Sequence, residues 1–397
     1  MTDLIPPTKA TLASVFPLMR VGAAVVADKV RRPIPTSRTD VPADIRRITP
    51  SWMTEVLQSA LPRAVVEDVA VHGVTRGTSV RAHLELRYRT ERDGFPATMF
   101  AKSTPTLTTR IANGLTGTAS TEAGFYRQLR PQLDLEAPRG FHSAFDRRSW
   151  RSIQIIEDLV ATRGATFGSP AHTITFEDAE QIVGQLAKLH AQGSRVPEVT
   201  GPRPEWLCTY PQWWRRALSV VNVKTSHLRA VKDGVDNGVL PAELRGRGDD
   251  LWERFIRSVD AHRHLPLTVI HGDVHLGNWY TAADGSLGLC DWQCVSAGHW
   301  SRDLAYALVS TLGVDQRRAW ERDLIRIYLD LLGRSAEPVR FEDAWRMYRL
   351  QLLGALMMWT PTYRPPPLMP EMQPVEVSEE MLRRMGAAIV DLDALSA

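Results

Sequence analysis

The sequence HGDVHLGN, residues 271–278, directly follows the apolar run LTVI at residues 267–270. A short apolar run of this kind predicts a buried strand, and the polar residues after it predict a loop at the end of that strand. Two histidines, an aspartate and an asparagine in such a loop fit three interpretations: a metal site, a catalytic loop, or a polar turn. The surrounding sequence bears on the choice between them.

The metal interpretation rests on the spacing of histidines and cysteines. His271 and His275 form an H-x3-H pattern, and Cys290 and Cys294 form a C-x3-C pattern. Both spacings fall in the range of zinc ligands. However, His271 ends a predicted strand, and Cys290 lies in the apolar run SLGLCDW, where a simple buried cysteine is equally suitable. A zinc-binding protein therefore stays open as an alternative.

The catalytic interpretation rests on an aspartate and an asparagine. Asp273 and Asn278 have the D-x-x-x-x-N spacing of a phosphotransferase loop, in which the aspartate accepts the proton of an acceptor hydroxyl and the asparagine oxygen binds Mg²⁺. A second carboxylate is needed to hold this cation against the phosphates of ATP. Asp291, at the end of the next predicted strand, supplies it. The structural alternative is a polar turn that Asp273 and Asn278 cap.

A phosphotransferase site also needs groups that contact the nucleotide phosphates, and a loop near the N-terminus offers them. The segment HGVTRGTSV, residues 72–80, lies between two predicted strands. Backbone N–H groups and small hydroxyls of such a loop can bind phosphate oxygens, although an ordinary hairpin loop has the same composition. The candidate phosphate-binding residues are Gly73, Gly77, Thr78 and Ser79.

Lys102 and Glu122 complete the predicted site. Lys102 follows the apolar strand ATMFA, where a lysine is costly unless it has a partner. Glu122 lies in the next predicted helix and can supply that partner. A lysine that is held by a helix glutamate and reaches the α- and β-phosphates is the remaining element of such a site.

The distribution of predicted elements indicates an α+β fold with two lobes. Residues 1–45 are interpreted as an N-terminal extension, residues 46–158 as a small antiparallel β-rich lobe with one helix, and residues 159–397 as a large, mainly helical lobe. Strands are predicted over 65–74, 79–90, 97–104 and 150–159, and helices over 119–130, 176–192, 303–331, 341–359 and 380–395. A ligand site is expected in the cleft between the lobes.

The motifs together resemble the aminoglycoside phosphotransferase/choline kinase-like branch of the protein-kinase-like fold. The resemblance covers roughly residues 60–330, and HGDVHLGN with LCDWQ is its most specific part. It implies that IIEDL, residues 155–159, is the hinge whose backbone receives adenine, so Glu157 and Leu159 are nucleotide-binding candidates. It further implies that Asp303 is structural. ATP and Mg²⁺ are the implied cofactors.

Departures from the protein-kinase pattern point away from protein substrates. DWQ replaces D-F-G, Gly272 stands where protein kinases have an arginine, and only about a dozen residues separate Asp291 from the next predicted helix, too few for a peptide platform. The DWQ triplet and the short loop after it resemble the ecdysteroid kinase-like subgroup. We therefore predict an enzyme that phosphorylates a hydroxyl of a small molecule.

Aromatic residues of the large lobe suggest the class of acceptor. A polycationic acceptor needs a pocket lined with carboxylates, since each ammonium group must be matched to offset its desolvation. The sequence instead offers aromatic side chains, although at helical spacing such residues are more often core. The acceptor-pocket candidates are His275, Trp206, Trp213, Trp214 and Trp359. We expect a bulky, weakly charged acceptor, and the alternatives are an aminoglycoside or choline/ethanolamine-type kinase, or a nucleotide-binding pseudokinase without turnover.

Composition argues against several other classes of protein. The net charge of +3 is too small to suggest nucleic acid as a partner. No stretch approaches the roughly 18 uninterrupted apolar residues of a membrane span. Three cysteines form no disulfide framework, so the cytoplasm is the expected location. The sequence predicts no oligomeric state and gives no role to residues 1–45.

Overall fold

The computed structural model describes residues 12–77, 79–89, 94–169, 172, 174–220, 222–333, 338–366 and 372–397. Its small lobe is built on a five-stranded antiparallel sheet with the order β1-β2-β3-β5-β4. The strands are β1 (Val66–Arg76), β2 (Val80–Tyr88), β3 (Thr98–Ser103), β4 (Gly140–Phe145) and β5 (Ser152–Glu157). The central position of β3 places Lys102 in the middle of the sheet.

The alternation of β2 shows why these residues form a half-buried sheet. Successive side chains of a strand point to opposite faces, and every second residue of Val80–Tyr88 is buried. The buried set packs with Trp52 and Met53 into the core of the small lobe and consists of Val80, Ala82, Leu84, Leu86 and Tyr88. Arg81 lies on the opposite face, directly across from Lys102 of β3.

Helices cover the small lobe, namely α1 (Leu12–Arg31), α2 (Pro50–Leu57), α3 (Leu107–Thr116) and α4 (Thr118–Gly124). α2 begins at Pro50, because the Thr49 side chain accepts a hydrogen bond from the Trp52 amide and Pro50 occupies the first helical position. α1 belongs to the predicted N-terminal extension. Its Asp28 pairs with Arg110 and Arg151 and so fastens the helix to the small lobe.

The large lobe is mainly helical, as predicted. α13 packs against α10, α11 and α14, and the buried residues of these helices share one hydrophobic core. The helices of this lobe are α5 (Leu159–Arg163), α6 (Phe176–Gly193), α7 (Pro197–Thr200), α8 (Tyr210–Val220), α9 (Val223–Asp236), α10 (Gly248–Ala261), α11 (Ser301–Thr311), α12 (Val314–Gly333), α13 (Phe341–Tyr363) and α14 (Val375–Asp391).

Short strands of the large lobe carry the loops of interest. They are β6 (Thr166–Phe167), β7 (Thr268–Ile270), β8 (Trp279–Thr281), β9 (Leu287–Leu289) and β10 (Ser296–Gly298). β7 pairs with β10, and β8 pairs with β6 and β9. The segment 271–278 joins β7 to β8, so the predicted strand and loop are both present. The β8–β9 pairing brings the end of this loop beside residue 291.

The structure adds elements that the sequence analysis did not predict. β4 was missed because it is an edge strand with glycine, histidine and serine among its residues, so it lacks the apolar alternation of β2. α3 was missed because threonine and asparagine dominate it. The helix predicted over 303–331 is broken before α12 by Leu312 and Gly313. In the part of the chain described above, no helix is long and apolar enough to cross a membrane.

Candidate active site

Lys102 lies between two carboxylates that come from different lobes. Its ammonium group donates to Oε1 of Glu122 at 3.0 Å, which is the predicted ion pair, and to Oδ1 of Asp291 at 2.9 Å. β3 supplies the lysine, α4 the glutamate, and the segment after β9 the aspartate. The three groups therefore join the sheet, the helix and the large lobe at one point.

Burial and charge set the protonation of this cluster. Burial opposes the charge of Lys102, but Asp291 and Glu122 outweigh burial and raise the pKa of the ammonium group. Burial also opposes the charge of Asp291, but Lys102 outweighs it and lowers the pKa of this carboxyl. Burial raises the pKa of Glu122, and Lys102 offsets only part of this rise. The carboxylate of Asp291, which shares the same ammonium group, raises the pKa further. Arg81 adds a second positive charge, 3.6 Å from Oδ2 of Asp291.

Asp273 is the next residue of the site, and side chains on both sides fix its carboxylate. The Tyr306 hydroxyl donates to Oδ1 at 3.1 Å, and the Asn278 amide group donates to Oδ2 at 3.2 Å. The Trp359 indole N–H donates in turn to the Tyr306 oxygen at 2.8 Å. A chain of hydrogen bonds thus runs from α13 through α11 to Asp273 and restricts the directions in which the carboxylate can turn.

The backbone of the loop is fixed by Asp303 of α11. Its carboxylate accepts from the amides of His271 at 2.6 Å and Gly272 at 2.9 Å. Gly272 has φ of +82°, and a Cβ there would lie 2.6 Å from the carbonyl oxygen of Cys294, so only glycine fits without strain. His271 is fully buried and donates from Nε2 to the Cys290 carbonyl at 3.0 Å. These contacts agree with a structural role for Asp303 and His271.

Asn278 and Asp291 have the donor set for a magnesium ion. The Cys290 amide donates to the Asn278 carbonyl at 2.9 Å. Asn278, just before β8, therefore lies beside the residue that precedes Asp291, just after β9. The Asn278 NH₂ group is engaged with Asp273, which directs the side-chain oxygen elsewhere. A carboxylate and an amide oxygen are ligands that this hard cation prefers. The residues therefore fit the ion that the motif implies. In the structure, the carboxylate of Asp291 contacts the cationic side chains of Lys102 and Arg81.

Asp291 also has an unusual backbone conformation. Its φ of 60° and ψ of 66° lie in the left-handed region, which is costly for a residue other than glycine. The next residue, Trp292, is fully buried and stacks on Phe125 with ring centroids 4.0 Å apart. The ring of His271 packs edge-on against the same indole. This packing holds Asp291 in a conformation that would otherwise relax.

The zinc alternative is not favoured. In the described parts of the chain, no group of three or more His, Cys, Asp and Glu residues is arranged to hold a metal ion. Nδ1 of His271 accepts from the Asp273 amide, and Nδ1 of His275 accepts from the Gly277 amide. The thiol of Cys290 donates to the Asn278 carbonyl, and burial raises its pKa to about 12. These groups serve the loop and do not converge on one point.

The structure shortens the predicted phosphate-binding loop. Gly73 lies within β1, at a register shift between His72 and Thr75, and has φ of +58°. Gly77 and Ser79 form the turn itself, with the Gly77 amide donating to the Ser79 carbonyl at 3.0 Å. Thr78 lies outside the described residues. The Ser79 hydroxyl is buried and has no hydrogen-bond partner among the described residues.

The predicted hinge joins β5 to α5. The Glu157 amide donates to the Arg139 carbonyl at 2.8 Å, so only its carbonyl is left for a base. Leu159 is the first residue of α5, and an amide in the first turn of a helix has no acceptor within the helix. Asp158, between them, caps α5 and contacts Nδ1 of His83 at 2.9 Å.

The acceptor candidates divide into two groups. The ring of His275 packs edge-on against Trp359, and its Nε2 lies 3.8 Å from Oδ1 of Asp273. Trp206 instead packs against α4 and donates its indole N–H to Gln128. Trp214 packs edge-on against Phe255 in the core of the large lobe.

The rings of Trp206 and Trp214 are buried and pack in the core of the large lobe, Trp214 from α8 and Trp206 from the turn before that helix, so their place in the acceptor pocket stays a prediction. Trp213 is partly buried, stands edge-on to Trp214, and has no partner for its indole N–H in the described structure. The structure gives no contact between Trp213 and Asp273.

Two residues that contact the proposed site were missed. Tyr306 lies three positions after Asp303 in α11, and residues with this spacing share one face of a helix, so the motif RDLAYAL contained the signal. Arg81 lies opposite Lys102 in the register of β2 and β3, which no local pattern reveals.

This chain is similar to known proteins in its sequence and in its fold. The model of the "phosphotransferase enzyme family" matches residues 96–341, more than half of the chain. None of the curated proteins searched is similar enough to count as a match.

Solved structures similar to this chain include aminoglycoside phosphotransferase APH(3'')-Id from Streptomyces rimosus, with 15% identity over 76% of this chain and 97% of that chain and a TM-score of 0.40. Choline kinase LicA from Streptococcus pneumoniae has 11% identity over 85% and 98%, with a TM-score of 0.44. Macrolide 2'-phosphotransferase MphH from Brachybacterium faecium has 13% identity over 76% and 88%, with a TM-score of 0.42.

The matched segment contains Lys102, Glu122, Asp273, Asn278 and Asp291, the residues that form the contacts described above. It begins before β3 and ends at the start of α13, and so spans both lobes. The family predicted from HGDVHLGN and LCDWQ is confirmed. This chain belongs to the phosphotransferase enzyme family.

Proposed function

We propose that this protein is an ATP- and Mg²⁺-dependent kinase that transfers the γ-phosphate to a hydroxyl group of a small molecule. One observation carries the proposal: a continuous set of contacts links Lys102, Asp291, Asn278 and Asp273. Lys102 contacts Asp291, Asn278 pairs with the residue before Asp291, and Asn278 also donates to Asp273. A group for the phosphates, a group for the metal and a base for the hydroxyl thus lie side by side.

Asp273 would act on the acceptor. Its carboxylate takes the proton of the acceptor hydroxyl as the new oxygen–phosphorus bond forms and the bond between the γ-phosphorus and the bridging oxygen breaks, which releases ADP. Tyr306 and Asn278 hold the carboxylate so that one oxygen faces the hydroxyl. Correct orientation contributes much of the rate in a reaction of this kind.

Lys102 would hold the nucleotide. Its ammonium group is kept charged and in place by Glu122, so it can bind the α- and β-phosphates once Asp291 turns toward the cation. Asp291 and Asn278 would hold Mg²⁺, which neutralises charge on the phosphates when bound. The pseudokinase alternative is not favoured, because Lys102, Asp273 and Asp291 are all present.

We further infer a bulky, weakly charged acceptor. The side chains packed around Asp273 include three aromatic residues, namely Tyr306, Trp359 and His275. Flat aromatic faces suit apolar ring systems and offer no negative charge to match several ammonium groups.

A screen for ATP consumption would test the proposal. Purified protein is incubated with Mg²⁺, ATP and a panel of hydroxylated compounds (sterols, macrolides, phenols, amino alcohols and aminoglycosides), and ADP release is measured. We expect release above the background hydrolysis with at least one class of acceptor, and no release when Mg²⁺ is chelated. ADP release that is equal with and without every acceptor class would contradict the proposal.

A further inference from the structure

A wide groove lies mainly on the small lobe and reaches Arg163 of α5, which pairs with Glu157 of the predicted hinge. It encloses about 1350 Å³ and is bounded by the loop 33–43, by residues 126–131 and by residues 139–148, which include β4. β4 is an edge strand, so one of its sides is free to form the floor. We call this feature the arginine groove, and none of Lys102, Glu122, Asp273, Asn278 and Asp291 lines it.

The charge of the arginine groove is strongly unbalanced. Eight arginines line it against two aspartates, and the arginines are Arg38, Arg127, Arg130, Arg139, Arg147, Arg148, Arg151 and Arg163. Both aspartates already accept hydrogen bonds from nearby amides, Asp40 from Thr36 and Ser37 and Asp146 from Arg148 and Ser149. The lining therefore carries an excess of positive charge that its own acids do not balance.

Some of these arginines have structural partners and others do not. Arg151 pairs with Asp28, Arg147 with Glu205, and Arg163 with Glu157. Arg130 and Arg139 donate to backbone carbonyls. In the described structure, no ion pair or side-chain hydrogen bond engages the guanidinium groups of the other three, Arg38, Arg127 and Arg148. Three cations without partners along one groove repel one another unless an anion joins them.

Two polar atoms of β4, beside the arginine groove, also lack partners. Nε2 of His142 and Oγ of Ser143, both in β4, are buried and form no hydrogen bond within the described structure. Burial and the charges of Arg38 and Arg127 lower the pKa of His142 to about 4, so its imidazole is neutral at pH 7. Buried polar groups in proteins are nearly always bonded, so two such atoms in one strand are uncommon.

We propose that the arginine groove binds a small molecule with two or more anionic groups, such as phosphates or carboxylates. The planar guanidinium groups of Arg38 and Arg127 can each form paired hydrogen bonds to such groups, and the exposed guanidinium group of Arg148 adds a third positive charge. A single small anion would leave part of the positive lining unmatched, so a ligand with several charges fits better. The proposal is independent of the proposed function, because it uses none of the catalytic residues.

The position of the groove suggests a consequence for the rest of the small lobe. α4 carries Glu122 and continues directly into the segment Phe125–Leu129 and the turn after it, which line the groove at Tyr126 and Arg127. A bound anion would therefore contact the same helical segment that holds the partner of Lys102.

Titration calorimetry with inorganic pyrophosphate and with citrate would test the proposal on the full-length protein. The test variant is the double substitution Arg38→Ala with Arg127→Ala, in which both residues are exposed and outside any described ion pair. The control is Arg229→Ala, an exposed arginine of α9 that bonds only a carbonyl and does not line the groove. We expect the double variant to bind at least about tenfold more weakly, since each bidentate contact to a charged group supports about a tenfold change in affinity.

The control and a third ligand make the outcomes distinct. Arg229→Ala should bind both probes as the natural protein does, and Arg148→Ala should bind them more weakly while keeping the same thermal unfolding temperature. Equal binding by the double variant, equal weakening by Arg229→Ala, or binding only to a single-stranded oligonucleotide and to neither small anion would each overturn the proposal. A binding site for pyrophosphate that disappears only with Lys102→Met would also overturn it, because the probe would then sit in the nucleotide site.

Discussion

At the scale of single residues, the site depends on how a few charged groups are held. Asp273 receives hydrogen bonds from Tyr306 and Asn278, and Lys102 lies between Glu122 and Asp291. The roles of residues 102, 122, 273, 278 and 291 could be proposed from the sequence, because each lies in a short motif or next to a predicted strand or helix. Tyr306 was not selected, since its role depends on how α11 faces the loop.

Removal of the Tyr306 hydroxyl should lower turnover without changing nucleotide binding. Tyr306→Phe keeps the ring under Arg302, which lies 4.5 Å above it, but deletes the hydrogen bond to Asp273. A hydrogen bond to a charged group is worth about 1.5–3 kcal/mol, so we expect kcat to fall by roughly 10- to 100-fold. Steady-state kinetics should show an unchanged KM for ATP.

Trp359→Phe is the matched control for this positioning role. It removes the indole N–H that donates to the Tyr306 oxygen and shortens the ring system, but leaves the hydrogen bond from Tyr306 to Asp273, so the loss in kcat should be smaller than that of Tyr306→Phe. In either variant, a rise in KM for ATP by as large a factor as the fall in kcat would show that the substitution disturbs the fold and not the orientation of Asp273.

At the scale of elements, the strands with clear alternation were predictable and the irregular ones were not. β2 shows its buried face in the sequence, whereas β4 does not, because an edge strand can carry polar residues on both faces. The bulge at Gly73 extends β1 into what the sequence marked as a loop, since a left-handed glycine can continue a strand as well as end it. The arginine groove depends on β4 and so could not be predicted.

β3 and α4 should act as one unit through the Lys102–Glu122 ion pair. Lys102→Met and Glu122→Gln each leave a buried group without its partner, so either change should cost much of the activity. The double variant should lose little more than the worse single variant, because the two residues act together. kcat/KM for all four proteins gives the coupling, and strictly additive losses would show that the residues act independently.

The packing of α4 against the large lobe should be sensitive to one methyl group. A Cβ at Gly124 would lie 2.0 Å from Cδ2 of Trp206, which is not possible without movement. We expect Gly124→Ala to lower the free energy of unfolding by about 1–3 kcal/mol, measured by urea denaturation. Gly22→Ala in α1 is the control, since no atom lies within 4 Å of that Cβ. An unchanged unfolding free energy for Gly124→Ala would show that the contact is wrong.

At the scale of the whole molecule, two lobes meet at Lys102 and Asp291, and a single family model spans the segment that contains both. The family could be recognised from residues 271–278 and 290–293, because they carry the chemistry of the fold. The acceptor pocket was only partly predictable. Trp206 and Trp214 have the residue type expected of pocket residues, but three-dimensional packing places both rings in the core of the large lobe.

The aromatic surroundings of Asp273 predict the order of acceptors. Weakly charged ring compounds such as sterols, macrolides or phenols should give a higher kcat/KM than aminoglycosides, because the side chains near Asp273 offer rings and not carboxylates. Competition between one compound of each class in the same assay measures the ratio directly. Efficient phosphorylation of kanamycin-type compounds would refute this inference while leaving the kinase chemistry intact.

The most direct test of the account is transfer of labelled phosphate by the natural protein and by Asp273→Asn. With [γ-³²P]ATP, Mg²⁺ and the best acceptor from the screen, the natural protein should label the acceptor. Asp273→Asn should lower turnover by about 10²- to 10⁴-fold, as removal of a general base does, with ADP binding preserved in the same preparation. Near-normal turnover by Asp273→Asn would contradict the assignment of Asp273 as the residue that accepts the proton.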